Sequence, residues 1–125
     1  MINWRTVLIG IILAVILAVI FTLVGFTAFI GYAVVGIYVG YVVGGGYKNG
    51  ATHGVIIGVI PGIIFTIINL IQADPVYLQA LIGGEVGLFG FAVLLSIIFD
   101  GICGAIGGVI GASIKGSSSS NENTT

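Results

Sequence analysis

Charged residues are confined to a few points of this chain, and long apolar stretches lie between them. The stretch 7–46 has no charged side chain, and the stretch 55–114 is interrupted only by Asp74, Glu85 and Asp100. A helix of about 20 apolar residues crosses the hydrocarbon core of a bilayer. The pattern therefore predicts an integral membrane protein.

The stretch 7–46 is too long for one crossing and predicts two. As a single helix it would measure about 60 Å, twice the thickness of the hydrocarbon core. We expect it to fold back near Gly25, because glycine relaxes helix continuity. The predicted fold is all-α and polytopic, with four transmembrane helices in two hairpins. The predicted spans are residues 6–24, 27–46, 52–72 and 86–113.

These spans form one predicted transmembrane domain, residues 1–115. We expect the polar, glycine-flanked segment 74–85 to lie in the membrane interface. The Ser/Asn/Thr-rich segment 116–125 has the composition of a disordered tail. The first apolar run is longer than the core of a secretory signal, so we expect no cleaved signal peptide.

The charges predict an orientation for this layout. With four spans, Arg5, Lys48 and Lys115 fall on one side of the membrane, and Asp74 and Glu85 fall on the other. Basic residues are enriched in cytoplasmic loops. We therefore expect a multi-pass protein of the cell membrane with both termini in the cytoplasm.

Composition narrows the function classes. The chain is 58% hydrophobic and only 6% charged, whereas a soluble domain carries roughly a quarter charged residues. A soluble enzyme and a nucleic-acid binder are excluded, and the lipid bilayer is the expected partner. The single cysteine, Cys103, cannot form an intrachain disulfide.

Glycine recurs at every fourth position in three predicted helices. Residues four apart share one helix face, and small residues let helix backbones approach closely in lipid. The sequence therefore predicts helix packing through glycine faces, either within one bundle or also between copies in a homo-oligomer. The predicted packing positions are Gly36, Gly40, Gly44, Gly50, Gly54, Gly58, Gly62, Gly104 and Gly108.

Asp100 lies near the middle of the fourth predicted span. A charged aspartate at a helix centre costs about 2.5–3.5 kcal/mol, so it should face protein or water. Burial favours its uncharged form. Pro61 lacks an amide hydrogen and leaves the Ile57 carbonyl free to accept, and Tyr38 is expected at similar depth. We predict an intramembrane polar centre of Asp100, Pro61 and Tyr38, used for packing, as a proton or cation relay, or for lipid or peptide recognition.

Four other polar residues in the third predicted span have ordinary structural interpretations. His53 is predicted to be an interfacial side chain near an N-cap at Thr52. Because there is no second histidine, we predict no metal site. Thr66 and Asn69 are expected to bridge helices through hydrogen bonds.

Two segments carry a family resemblance. They are Asn-Trp-Arg at 3–5 and the block 36–62, above all Gly-Gly-Gly-Tyr-Lys-Asn-Gly-Ala-Thr-His-Gly at 44–54. The chain resembles a family of small archaeal, glycine-rich integral membrane proteins of unknown function. The resemblance extends over residues 1–70. The fourth predicted span is similar to the family only in its general character. It implies no activity, substrate or cofactor.

The function best supported by the sequence is a non-enzymatic membrane scaffold or assembly component packed through glycine faces. The alternative is a small oligomeric channel or transporter that uses Asp100 as its proton or cation site. A membrane enzyme is disfavoured because Asp100 and His53 should differ in depth by about 15 Å. We predict no catalytic residues and no cofactor, and the sequence identifies no substrate or ion.

Overall fold

The chain is built from four α-helices. The computed structural model describes residues 1–76, 78–79 and 86–122, and the side chains of 86 and 120–122 are not described. Within these ranges the chain has no β-strand, which confirms the predicted all-α class. The helices are α1 (Trp4–Leu23), α2 (Ala28–Val43), α3 (Tyr47–Gln72) and α4 (Val86–Glu122).

Glycines with positive φ form the two described turns between helices. Gly25, at φ 85°, lies in the turn between α1 and α2. Gly44, Gly45 and Gly46, at φ 61°, 76° and 91°, form the turn between α2 and α3. L side chains rarely adopt this conformation, so a tight reversal here depends on glycine.

Helix α3 begins earlier than the sequence predicted. Because the glycine turn is so short, α3 begins at Tyr47 rather than at residue 52. Thr52 therefore lies inside the helix and does not cap it. Its hydroxyl group donates to the Lys48 carbonyl oxygen at 2.8 Å.

Helix α4 is longer than predicted. The sequence predicted a disordered tail over 116–125, but α4 continues to Glu122, and 123–125 lie outside the described residues. Serine disfavours helices because its hydroxyl group competes for backbone partners. Here Ser118 and Ser119 donate to the carbonyl oxygens of Ile114 and Lys115, both at an oxygen–oxygen distance of about 3 Å. The serine hydroxyl groups are therefore satisfied within the helix.

The predicted interfacial segment 74–85 lies mostly outside the described residues, as do Tyr77 and Glu85. At its beginning, the Asp74 carboxylate accepts a hydrogen bond from the Val76 amide at 2.8 Å. Leu78 donates its amide to the Asp74 carbonyl oxygen. Asp74 thus begins a helical turn directly after α3.

Helices α2 and α3 lie at the centre of the bundle. Both contact α1 on one side and α4 on the other, and α1 and α4 do not touch within the described residues. Consecutive helices along the chain run antiparallel, as their glycine contacts show: Gly31 lies against Leu17 and Ala18, and Gly54 lies against Gly104. The core between α1, α2 and α3 consists of Val7, Ala14, Ala18, Tyr32, Val35, Val39 and Ile57.

The three basic residues lie at one end of the bundle, here called the basic end. Lys48 lies in the first turn of α3. Arg5 lies in the first turn of α1, two residues after Asn3, whose amide donates to the His53 ring at 3.0 Å. The Lys115 ammonium group donates to the Val42 carbonyl oxygen at 2.8 Å. The opposite end, with the α1–α2 turn and Asp74, is the distal end.

The outer surface is apolar and suits a lipid environment. Three segments, Trp4–Leu23, Tyr47–Gln72 and Gly87–Ser119, are long and apolar enough to cross a membrane, and Ala28–Val43 is a shorter apolar helix. These lengths are compatible with a multi-pass membrane protein. Bulky aliphatic side chains are exposed along α1 and α4, including Leu8, Ile12, Ile16, Leu94, Ile98, Ile102 and Ile106.

Candidate functional site

The side chain of Asp100 is buried between α4 and its neighbours. It is only 9% exposed. A methyl carbon added to Gly36 would lie 2.6 Å from the Gly104 carbonyl oxygen, and one added to Gly40 would meet Gly108. Helices α2 and α4 therefore run parallel in a fixed register. One turn earlier on both helices, that register brings Asp100 level with Tyr32.

Two glycines of α3 make room for Asp100. A Cβ at Gly58 would collide with the Asp100 carbonyl oxygen, and a Cβ at Gly62 would lie 2.7 Å from its Oδ2 atom. Any larger residue at either position would have to displace α4 or the carboxyl group. The glycines on α3 thus determine that the acid lies against a helix backbone and not against lipid.

Tyr32 supplies an unpartnered hydroxyl group at the same level. Its side chain is 1% exposed, and its hydroxyl oxygen has no hydrogen-bond partner within the described residues. The register between α2 and α4 places Tyr32 at the level of Asp100. Because buried polar groups are usually satisfied, an orphan beside a buried carboxyl group suggests an additional small partner.

Tyr38, the tyrosine that the sequence assigned to this centre, lies elsewhere. Its side chain is 46% exposed on the outer surface of α2. The α2–α4 register brings Tyr32 to the level of Asp100, and Tyr38 lies further towards the basic end. The predicted tyrosine and Tyr32 lie on the same helix, but their depth relative to Asp100 depends on the register between α2 and α4.

Pro61 is fully buried inside α3, between the two glycines that face Asp100. It leaves the Ile57 carbonyl without its usual helical donor. The predicted hydrogen bond from Asp100 to this carbonyl is not formed within the described residues. The carboxyl group lies on the Gly58–Gly62 face, and the Ile57–Pro61 face is next to it on the helix.

The predicted packing glycines lie at helix contacts, with one exception. Gly50 and Gly54 face Gly108 and Gly104 of α4. Gly44 lies instead in the α2–α3 turn, where a Cβ would lie 2.8 Å from the Lys115 side chain.

A second glycine track on α4 faces α2. A Cβ at Gly107 would lie 3.0 Å from the Ile37 amide, and one at Gly111 would lie 2.6 Å from the Tyr41 amide. The backbone of α4 is therefore in close contact with both α2 and α3.

Beyond Asp100 towards the distal end, α3 and α4 are separated by a cavity, here called the distal cleft. Its volume is about 270 Å³. It is lined by Phe65, Thr66, Asn69, Leu70, Ala73, Phe89, Val93 and Ser96. A smaller cavity of about 160 Å³ on the α1 side of α3 shares Phe65 and Asn69 with it. The distal half of α3 thus has space on two sides.

Thr66 and Asn69 do not bridge helices as predicted. The Thr66 hydroxyl group donates to Gly62 at 2.9 Å, and the Asn69 amide group donates to Phe65 at 2.7 Å. Both acceptors are carbonyl oxygens of α3 itself. Both side chains line the distal cleft, and Asn69 also lines the smaller cavity.

His53 is not the interfacial side chain that the sequence predicted. It is 0% exposed. Its Nε2 atom accepts from the Asn3 amide at 3.0 Å, and its Nδ1 atom lies 2.8 Å from the Asn49 carbonyl oxygen. This pattern requires the proton on Nδ1. His53 therefore holds the N-terminal segment against α3.

The chain is an α-helical protein with three segments long and apolar enough to cross a membrane, and Asp100 and Tyr32 are buried at the same level between its helices. Within the described residues, no group of three His, Cys, Asp or Glu side chains could hold a metal ion. A model of a family of unknown function, DUF5518, matches residues 4–114, and the chain belongs to that family. The match agrees with the predicted membership of a family of unknown function. No curated protein and no solved structure matches the chain.

Proposed function

We propose that this protein is a non-enzymatic integral membrane scaffold with four spans. The observation that carries the proposal is the backbone contact between α2, α3 and α4 at Gly36, Gly54 and Gly104. Such contacts gain dispersion energy and weak Cα–H···O bonds where lipid supplies no hydrophobic force. They favour a rigid bundle over a protein with an aqueous pore.

The four-span topology is supported by the packing of α2. This helix has 16 residues, about 24 Å at 1.5 Å per residue, which is shorter than a typical hydrocarbon core. Bilayers thin locally around short helices at a modest cost. Helix α2 also packs along α4. If α2 lay outside the membrane, α4 would have to lie outside it as well.

The proposed orientation has both termini in the cytoplasm. Arg5, Lys48 and Lys115 belong to the basic end, and Asp74 lies at the distal end. The positive-inside rule favours a cytoplasmic basic end. An impermeant reagent that labels a thiol at Ser119→Cys only after cells are permeabilised would agree with this orientation, and labelling in intact cells would reverse it.

Homo-oligomerisation remains part of the proposal, but through different surfaces. The glycine faces of α3 and α4 are occupied by helices of the same chain. Contact between copies would therefore use the aliphatic surfaces of α1 and α4. Mass measurement of the protein in nanodiscs tests this: a single copy would remove the oligomer from the proposal.

Ion flux in liposomes tests the scaffold proposal. A closed bundle should give no proton, sodium or potassium flux above that of protein-free liposomes. The Asp100→Asn variant serves as the control, because it retains the shape of the side chain without its charge. Flux in the wild type that disappears in Asp100→Asn would overturn the scaffold proposal in favour of a channel or transporter.

A second candidate function is reversible proton or cation binding at Asp100. The orphan Tyr32 hydroxyl group favours it, because a water molecule or a small cation between the hydroxyl and carboxyl groups would satisfy both. Buried acids in membrane proteins commonly mark ion or proton sites.

Lipid-soluble dicyclohexylcarbodiimide, which modifies protonated carboxyl groups in apolar surroundings, tests this second candidate. Peptide mass spectrometry should find the modification at Asp100 and none at this position in Asp100→Asn. Protection by sodium would identify a cation site, and its absence a proton site. Tyr32→Phe should alter the reactivity and Tyr38→Phe should not, because Tyr38 is exposed on the outer surface. An unreactive Asp100 would remove this candidate.

A further inference from the structure

We propose that the distal cleft carries water to Asp100 from the distal end of the bundle only, so that the carboxyl group exchanges protons with one side of the membrane. This inference rests on the second candidate function, proton binding at Asp100. It adds the route and its direction.

The floor of the cleft lies next to the acid. Ser96 is one helical turn before Asp100 on α4, about 6 Å along the helix axis. Thr66 is one turn after Gly62 on α3, and a Cβ at Gly62 would lie 2.7 Å from the Asp100 carboxyl oxygen. Both walls of the cleft therefore approach the carboxyl group to within one turn.

Three polar side chains in the mostly apolar lining of the cleft offer hydrogen-bonding positions for water. Thr66, Asn69 and Ser96 all face this cavity within membrane-spanning helices. Ser96 is exposed and makes no hydrogen bond within the described residues. A polar group without a partner in hydrocarbon costs several kcal/mol, whereas water would satisfy it. A cavity of about 270 Å³ can hold several water molecules, each of which occupies about 30 Å³ in the liquid.

Towards the basic end, the same two helices leave no such space. A Cβ at Gly54 or Gly58 would collide with a carbonyl oxygen of α4, and a Cβ at Gly104 would lie 2.9 Å from the Gly58 amide. Helix backbones this close leave no room for a water molecule between them. On the α2 side, a Cβ at Gly36 would lie 2.6 Å from the Gly104 carbonyl oxygen, one turn from Asp100 towards the basic end. The backbone contacts thus close the basic side of Asp100, and the distal cleft lies on its other side.

Thiol accessibility tests the cleft itself. In a Cys103→Ala background, single cysteines are placed at Ser96→Cys in the cleft and at Leu95→Cys, a neighbour that faces lipid. Asp74→Cys marks the distal end and Ser119→Cys marks the basic end. A charged, membrane-impermeant methanethiosulfonate reagent should modify Ser96→Cys from the same side as Asp74→Cys. The reaction should be at least about ten-fold faster than at Leu95→Cys, because a thiol in lipid stays protonated and unreactive.

A water-soluble carbodiimide tests whether the cleft reaches the acid. It should modify Asp100 when added from the distal side, and prior reaction of the Ser96→Cys thiol should block that modification. The inference would be overturned if the reagent modified Ser96→Cys from the side of the membrane on which it modifies Ser119→Cys. It would also be overturned if Ser96→Cys reacted no faster than Leu95→Cys. If dicyclohexylcarbodiimide modifies Asp100 but the water-soluble reagent does not, the proposed proton site at Asp100 is retained and the water route through the distal cleft is rejected. If neither modifies Asp100, the second candidate function fails and the inference fails with it.

Discussion

The two halves of the α3–α4 pair differ in how the same helices meet. In the basic half, Gly50, Gly54 and Gly58 bring the backbone of α3 against the backbone of α4. In the distal half, Phe65 and Phe89 face a cavity of about 270 Å³. Both halves are strongly apolar, so overall hydrophobicity does not explain the difference. The spacing of the glycines determines where the helices touch in this protein.

Asp100 lies at the boundary between the two halves. On its basic side the backbones are in contact, and on its distal side the distal cleft begins one turn away. Pro61, which lacks an amide hydrogen and weakens the helix at that point, lies at the same boundary on α3. A buried acid at such a junction can be held by tightly packed backbone and still have water nearby.

The largest expected effect comes from placing a side chain in the basic half. Gly54→Val would push a branched side chain against the Gly104 carbonyl oxygen. We expect a loss of about 3 kcal/mol in the free energy of unfolding, at the upper end of overpacking costs. Unfolding in mixed micelles, followed by circular dichroism, measures it.

The matched control for this substitution is Gly90→Val in the distal half, where a Cβ would have no neighbour within 4 Å. It should be close to neutral. Equal losses in the two variants would show that the halves do not differ in packing.

The second effect concerns the hydrogen bonds of His53 at the basic end. His53→Leu would leave the Asn3 amide and the Asn49 carbonyl without their side-chain partner. We expect a loss of about 2 kcal/mol in unfolding free energy, and faster hydrogen exchange at the Asn3 amide. Thr52→Ala is the control, because the Thr52 hydroxyl group bonds only within α3. Equal losses of unfolding free energy in His53→Leu and Thr52→Ala would rule out the anchoring role of His53.

The third effect tests the boundary between the halves. Gly62→Ala places a methyl group 2.7 Å from the Asp100 carboxyl oxygen, which is a side-chain atom that can move. We expect a loss of about 1 kcal/mol. The loss should vanish in the Asp100→Ala background, because the colliding atoms are then absent. A double-mutant cycle measures this coupling, and a coupling near zero would contradict the described contact.

The smallest effect belongs to the distal cleft. Ser96→Ala removes an exposed hydroxyl group that makes no hydrogen bond within the described residues. We expect the free energy of unfolding to change by less than about 0.5 kcal/mol, as at most surface sites. The water-soluble carbodiimide should nevertheless modify Asp100 more slowly in this variant. Strong destabilisation would mean that Ser96 is a packing residue.

Much of the fold could be predicted from local signals. The apolar runs located the four helices, and Gly25 and the glycines at 44–46 marked the two described turns. The predicted ends of the helices were less accurate. The beginning of α3 depended on how tightly the glycine turn reverses, and the end of α4 depended on serine hydroxyl groups that donate back to the helix.

The candidate site was predicted only in part. Asp100 and Pro61 could be selected from the sequence because lipid makes a buried acid costly and proline interrupts a helix. Tyr32 could not be distinguished from Tyr38, since the choice depends on the register between α2 and α4. The burial of His53 was also missed, because its partner Asn3 is far away in the sequence.

The amino-acid sequence alone is enough to predict that this chain is α-helical and apolar enough for a membrane, and that its glycines repeat on helix faces. These properties follow from residue type and spacing along one helix. Only the tertiary structure decided which glycine meets which neighbour, which tyrosine lies beside Asp100, and where α3 and α4 separate. Those features depend on the relative depth and rotation of helices, which are determined by contacts between residues distant in the sequence.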